Sequence, residues 1–192
     1  MINGALLTKD NLTKRKWTGD PKYQFCHHNE TINHLFFTCS VAKVVWGVIA
    51  RIIGATNIPT SISQCWEWCE FWIPESSKFH MWGISAICWA IWKARNRACF
   101  NRKLIKNPIE IICHAGALMR FWTGIYAEVD RMMHVNGVNT MLKVASDLLL
   151  PQRPLEDQCK CLKQDDSHDG EDQNHWTKCS CVNEVPEMVF CS

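Results

Sequence analysis

The chain holds little that would take it out of water. Its longest near-apolar run, residues 81–92, is twelve residues, short of the roughly 20 that a helix needs to cross a bilayer. The opening Met-Ile-Asn-Gly-Ala-Leu-Leu-Thr-Lys-Asp has no apolar core of the kind that marks a secretory signal. A soluble, intracellular protein with no membrane partner is therefore expected. No internal repeat is visible. No phosphate-binding loop, nucleophile elbow or paired-carboxylate motif occurs, so no enzyme is expected. A large excess of one charge is missing as well: 21 Lys and Arg stand against 19 Asp and Glu.

What the chain does have is cysteine and tryptophan, twelve and ten in 192 residues, within a composition that is 47% hydrophobic. That is ample for a core of one domain. Twelve cysteines in a reducing compartment read as buried thiols or metal ligands rather than disulfides. The near-neutral total hides a split. Residues 1–150 carry 17 basic and 10 acidic side chains, and residues 151–192 carry 4 and 9. A mildly basic body is compatible with nucleic acid.

The periodicity is helical. Val41, Val44, Val45, Val48, Ile49 and Ile52 recur at three- and four-residue steps, which predicts a helix over 40–53 ending at Gly54. Cys65, Trp66, Trp68, Cys69 and Trp72 predict a short helix stopped by Pro74. A longer helix is expected over about 78–104. Asn107-Pro108 is a start signal for a helix expected to reach about Met133, with Gly137 as a break and a last amphipathic segment at 141–150. The only strand expected is a knuckle hairpin near 23–33. The predicted fold class is mostly α: a small knuckle-like N-terminal region, then a Trp-rich helical bundle. Residues 151–192 are acidic, rich in cysteine and poor in aliphatics, and are expected to be a disordered tail.

Chemistry concentrates at Cys26, His34 and Cys39, spaced Cys-x7-His-x4-Cys. Soft and borderline donors so close together suit a structural zinc site, which wants four ligands. A Cys-x2-Cys knuckle would place the fourth at position 23, where this chain has tyrosine. His27 and His28 are the nearby substitutes. His27 adjoins Cys26 and is poorly placed, so His28 is the better candidate. A water could also complete the shell.

With these residues in view, the chain resembles the zinc-binding domain at the C-terminal side of reverse transcriptases from plant LINE-type (non-LTR) retrotransposons. The words that carry the resemblance are Leu7-Thr8-Lys9-Asp10-Asn11-Leu12, Lys14-Arg15-Lys16-Trp17-Thr18-Gly19-Asp20, Phe25-Cys26, Glu30-Thr31-Ile32-Asn33-His34-Leu35-Phe36-Phe37, Cys39, and Ala42-Lys43-Val44-Val45-Trp46. Further on, Ala90-Ile91-Trp92-Lys93-Ala94-Arg95-Asn96 and Phe100 are similar to the segment that trails the domain in such elements. The resemblance covers about residues 1–148. It implies zinc held by three Cys and one His, of which Cys26, His34 and Cys39 match and Tyr23 departs. It implies nucleic-acid handling beside a polymerase. The polymerase motif itself is missing, since Tyr-x-Asp-Asp does not occur. The organisation implied is a reverse-transcriptase zinc-binding domain over 1–54 (knuckle 17–39, helix 40–53), a helical continuation over 55–150, and the tail.

The residues that could meet RNA or DNA are Lys14, Arg15, Lys16 and Trp17, the last of which reads more readily as packing beside the knuckle, and the run Lys93, Arg95 and Arg97 that continues to Arg102, Lys103 and Lys106. The competing reading of that run is the solvated face of a helix. Trp46, Trp66, Trp68, Trp72, Trp82, Trp89, Trp92 and Trp122 recur at helical spacing and read as core. Cys65 and Cys69 read as packing, and Cys159, Cys161, Cys179 and Cys181 form two Cys-x-Cys pairs. Two other functions fit the same sequence: a metal-free helical protein-interaction module, and a relic of an element with no selected role.

Overall fold

The structure, a computed structural model, describes residues 6–26 and 28–149. Among them there are six α-helices and no named strand. They are α1 (Lys9–Lys14), α2 (Ser40–Ile53), α3 (Ile62–Trp72), α4 (Ser77–Asn101), α5 (Ile109–Phe121) and α6 (Glu128–Leu149). The expected hairpin reduces to one antiparallel bridge, Lys22 with Asn29. Tyr23 N–H donates to His28 O at 2.9 Å and Glu30 N–H to Pro21 O at 2.9 Å, which closes the turn. The predicted tail and its Cys-x-Cys pairs lie outside the described residues.

Helix α2 forms where the valine and isoleucine period predicts it. It buries Ala42, Val45, Trp46, Ile49 and Ala50 and ends at Gly54, whose φ of +77° suits a residue without Cβ. Trp46 pins the helix to the preceding segment. Its Nε1–H donates to Phe36 O at 2.7 Å, and its ring stacks on Phe37 at 5.7 Å. Helix α3 starts from a reciprocal cap: Ser61 Oγ accepts from Gln64 N–H, and Gln64 Oε1 accepts from Thr60 N–H. Pro74 stops it as expected.

Two expectations are corrected. The helix after Pro108 does not run to Met133. It breaks at a short 3-10 turn over Trp122–Ile125 and restarts as α6. Gly137 does not break a helix, because α6 runs through it from Glu128 to Leu149. A glycine costs only about 1 kcal/mol inside a helix, which the packing of α6 offsets. Helices α4, α5 and α6 pack most extensively, in that order along the chain. At Gly116 of α5 a Cβ would lie 2.5 Å from Leu142 Cδ2 of α6, so glycine sets how closely these two helices approach.

The N-terminal segment is fastened to α4 through charge. Glu30 is fully buried. Its carboxylate accepts from Arg95 Nε at 3.0 Å and from Arg95 Nη2 at 2.6 Å. The backbone N–H of Lys9 adds a third donor at 3.0 Å. Arg95 also stacks over Trp92, 4.9 Å from the ring centroid.

Candidate metal centre

The metal-centre residues sit where the hairpin turn meets the start of α2. Between them lies a five-residue π-helical turn, His34–Thr38, anchored by buried Leu35, Phe36 and Phe37. The wide turn faces His34 toward the hairpin, while the three apolar residues hold its other side in the core. His34 Nε2 lies 3.0 Å from Cys26 Sγ. The other ring nitrogen, Nδ1, is 3.4 Å from Thr38 Oγ1. This is the arrangement in which an outer partner fixes the imidazole and leaves the facing nitrogen to a metal.

His28 joins them. Ligand atoms of Cys26, His28 and His34 all lie within 4.8 Å of one another, and the His28 and His34 rings are 5.5 Å apart. Tetrahedral zinc with bonds of about 2.0–2.3 Å holds its ligand atoms roughly 3.3–3.8 Å apart. To take the ion, Cys26 Sγ and His34 Nε2, 3.0 Å apart, would open by a few tenths of an ångström, and any pair wider than that range, up to 4.8 Å, would close. The His34 ring is held below its ordinary range, first by burial and then by the His28 charge. That keeps its lone pair free at neutral pH, as a ligand requires.

Cys39 stands outside that triplet. It is buried at the N-cap of α2, with Sγ 3.9 Å from Ser40 Oγ. Burial pushes its thiol up, and the charge of Cys26 adds to this; the backbone N–H groups of Val41 and Ala42 pull the other way. Those helix N-terminal amides are the groups that would support a thiolate if a metal drew the proton off.

Tyr23 fills the place of the missing ligand as a wall. It is 2% exposed, and its ring meets His34 edge-on at 5.8 Å and Phe25 at 5.2 Å. Its hydroxyl is buried without a hydrogen-bond partner. Burial, then the neighbouring Cys39, raises the phenol far above its usual range. It stays neutral, and a neutral phenol is a poor zinc ligand compared with imidazole or thiolate.

These donors lie inside the segment that comparison with known families picks out. Residues 1–46 match the family described as zinc-binding in reverse transcriptase. No curated protein and no solved structure matches the chain. The match ends at Trp46, within α2, and α3–α6 lie beyond it. No described helix is long and apolar enough to cross a membrane.

The residues expected to meet nucleic acid separate into two kinds. Lys14, Arg15 and Lys16 are exposed, and Trp17 is 37% exposed. Lys93 and Arg97 are half-buried on α4, close enough to His114 of α5 that their charges lower its pKa after burial has done so. Arg95 is different. It is 3% exposed and held by Glu30, so its guanidinium is committed to the attachment of the N-terminal segment to α4 and is not on a solvent face. The run had suggested a uniform basic face. Helical spacing instead turns Arg95 inward while Lys93 and Arg97, four apart, share the outer side. Sequence reasoning missed the Glu30–Arg95 pair. Glu30 carries no local signal for a partner 65 residues away.

Proposed function

We propose that the chain is a retrotransposon-derived, non-catalytic nucleic-acid-binding domain of the reverse-transcriptase zinc-binding kind, organised by zinc. The observation that carries this reading is the convergence of Cys26, His28 and His34 within 4.8 Å inside the matched residues 1–46. Zinc would be held by these three, with Cys39 as the fourth donor once its thiol is deprotonated. The metal contributes structure: it fixes the hairpin turn against the π-turn and the start of α2. Origin in a plant LINE-type element is part of the proposal and rests on the word-by-word resemblance over residues 1–148.

The nucleic-acid face we assign is a stripe along α4. Trp89, Lys93, Arg97 and Phe100 follow at steps of four, four and three, so they share one side of the helix. Trp89, whose spacing had pointed to the core, is 51% exposed, and Phe100 is 76% exposed. Aromatic faces for bases alternating with cations for phosphates suit single strands. Lys14, Arg15, Lys16 and Trp17 are a second such group.

Zinc stoichiometry by native mass spectrometry on the full chain tests the metal half of the reading. One zinc is expected, lost or weakened by orders of magnitude in His28→Ala, Cys26→Ser and Cys39→Ser. The cobalt-substituted protein should show thiolate charge-transfer bands that Cys39→Ser diminishes. A wild type that takes up no zinc refutes the metal half. For nucleic acid, a single-stranded oligonucleotide should bind with an affinity that falls with salt, and Lys93→Gln should reduce the log–log slope by about 1. A salt-independent affinity refutes the assigned face.

A further inference from the structure

A second feature lies away from the metal centre. Helices α2, α3, α4, α5 and α6 line a cavity of about 390 Å³ that opens to solvent beside the exposed Met133, Gly137 and Thr140, within the range of small-ligand sites, about 300–1,000 Å³. Its walls are apolar and aromatic, with Trp46, Trp68, Ile84, Ile87 and Met141 among them. Mostly apolar and aromatic walls with a few polar groups are the usual lining of small-molecule clefts. Gly137 of α6 is exposed and lines the rim, where a Cβ would have nothing within 4 Å.

The polar groups in the lining narrow what could enter. Among its described residues there is no Asp, Glu, Lys or Arg, so nothing would neutralise a charged ligand. His134 is occupied, its Nε2 being 3.1 Å from Met119 O. His80, 3% exposed, has Nε2 2.9 Å from Ile73 O. A carbonyl only accepts, so Nε2 carries the hydrogen, and in the neutral ring Nδ1 is then a bare acceptor. That Nδ1 is buried and has no partner. Buried polar atoms are seldom left so. What is missing is a donor.

We propose that this cavity binds a small, uncharged, largely aromatic molecule that bears one O–H or N–H group, which His80 Nδ1 accepts. The site is independent of zinc and of the α4 stripe.

The test uses 2-naphthol and naphthalene as probes, titrated into the full chain by isothermal calorimetry and by saturation-transfer NMR. The wild type should bind 2-naphthol saturably at one site, about tenfold more tightly than naphthalene, the effect of one satisfied hydrogen bond. His80→Phe should bind both equally. Gly137→Phe should obstruct the opening at the rim and abolish binding of both, while circular dichroism shows the helices retained and the melting temperature does not fall. Should His80→Phe not fold, the contrast between the two probes on the wild type decides the role of the donor. Absence of saturable binding to the wild type overturns the proposal, as does binding that survives in a folded Gly137→Phe. Equal affinity for the two probes on the wild type overturns the assignment to His80.

Discussion

Replacing Arg95 by methionine should be among the most damaging single changes outside the apolar core. The side chain is of similar length and removes only the charge and the donors. Glu30 would keep its carboxylate, fully buried, with the backbone N–H of Lys9 as the one donor left of the three named above. Breaking a buried ion pair by deleting one partner costs about 3–5 kcal/mol, because the other charge is left uncompensated. Against a total stability of about 5–15 kcal/mol, that is a large fraction. For a folded body of this size each kcal/mol moves the melting temperature by about 2–4 °C, so a drop on the order of 10–15 °C is expected. Calorimetry or urea unfolding monitored by circular dichroism reads it. The double variant Glu30→Gln/Arg95→Met should recover much of the loss, since no charge is left behind. The reasoning has a second consequence. Glu30 lies between His28 and His34 in sequence, and a loosened Glu30 should free the hairpin turn, so zinc affinity should fall in the single variant. A loss under about 1 kcal/mol, or a double variant as unstable as the single one, would refute the argument that Glu30 and Arg95 join the N-terminal segment to α4.

Tyr23→Phe removes a buried hydroxyl that has no partner; stability should rise by up to about 1 kcal/mol and zinc affinity should not change, whereas a weakened site would make the phenol a ligand. Tyr23→Cys restores a thiolate at the knuckle position and should tighten zinc by orders of magnitude while destabilising the metal-free chain, which loses a buried aromatic ring; competition with a chelator reads the first and thermal unfolding in chelator the second. His114 is held below its ordinary pKa by burial and by Arg97 and Lys93. The folded state therefore binds fewer protons than the unfolded one, and stability is lost as pH falls below about 6.5. His114→Gln should flatten that part of the melting-temperature profile, and an unchanged profile would show that the three groups do not interact.

How much could be read from the residues follows from the range of the forces involved. Helix α2 was legible because Val45, Trp46 and Ile49 sit at the helical period and Gly54 supplies the left-handed stop, all within one segment. The start of α5 was legible for the same reason, and Asn107 Oδ1 does accept from Ile109 N–H at 2.9 Å. The division between α5 and α6 was not. The stretch from Trp122 to Ala127 carries no proline, and its Gly124 offers the same local signal as Gly137, which lies inside a helix. The local pattern pointed to the wrong glycine because the packing of α6 against α5, which the sequence does not display, holds Gly137 in the helix.

At the metal centre the same distinction applies. Cys26 and His34 were given by spacing, and their side chains do meet, at 3.0 Å. His28 was second to them in the sequence because the knuckle pattern gives it no place. It becomes prominent in the structure because the turn pinned by Tyr23 N–H to His28 O brings its ring beside His34. Tyr23 thus does two things that the pattern could not show. Its backbone closes the turn that delivers a substitute donor, and its ring takes the volume that a smaller cysteine would leave open. A site that has lost a ligand at one position can keep its shape if the replacement packs, and it can keep its chemistry if the same backbone turn presents a donor nearby. Arg95 shows the complementary case. It lies in a basic run that reads as surface, yet it is turned inward by helical geometry and held by a carboxylate 65 residues earlier. Charge read along the chain measures composition. Only the fold decides which of those charges face a phosphate and which hold the protein together.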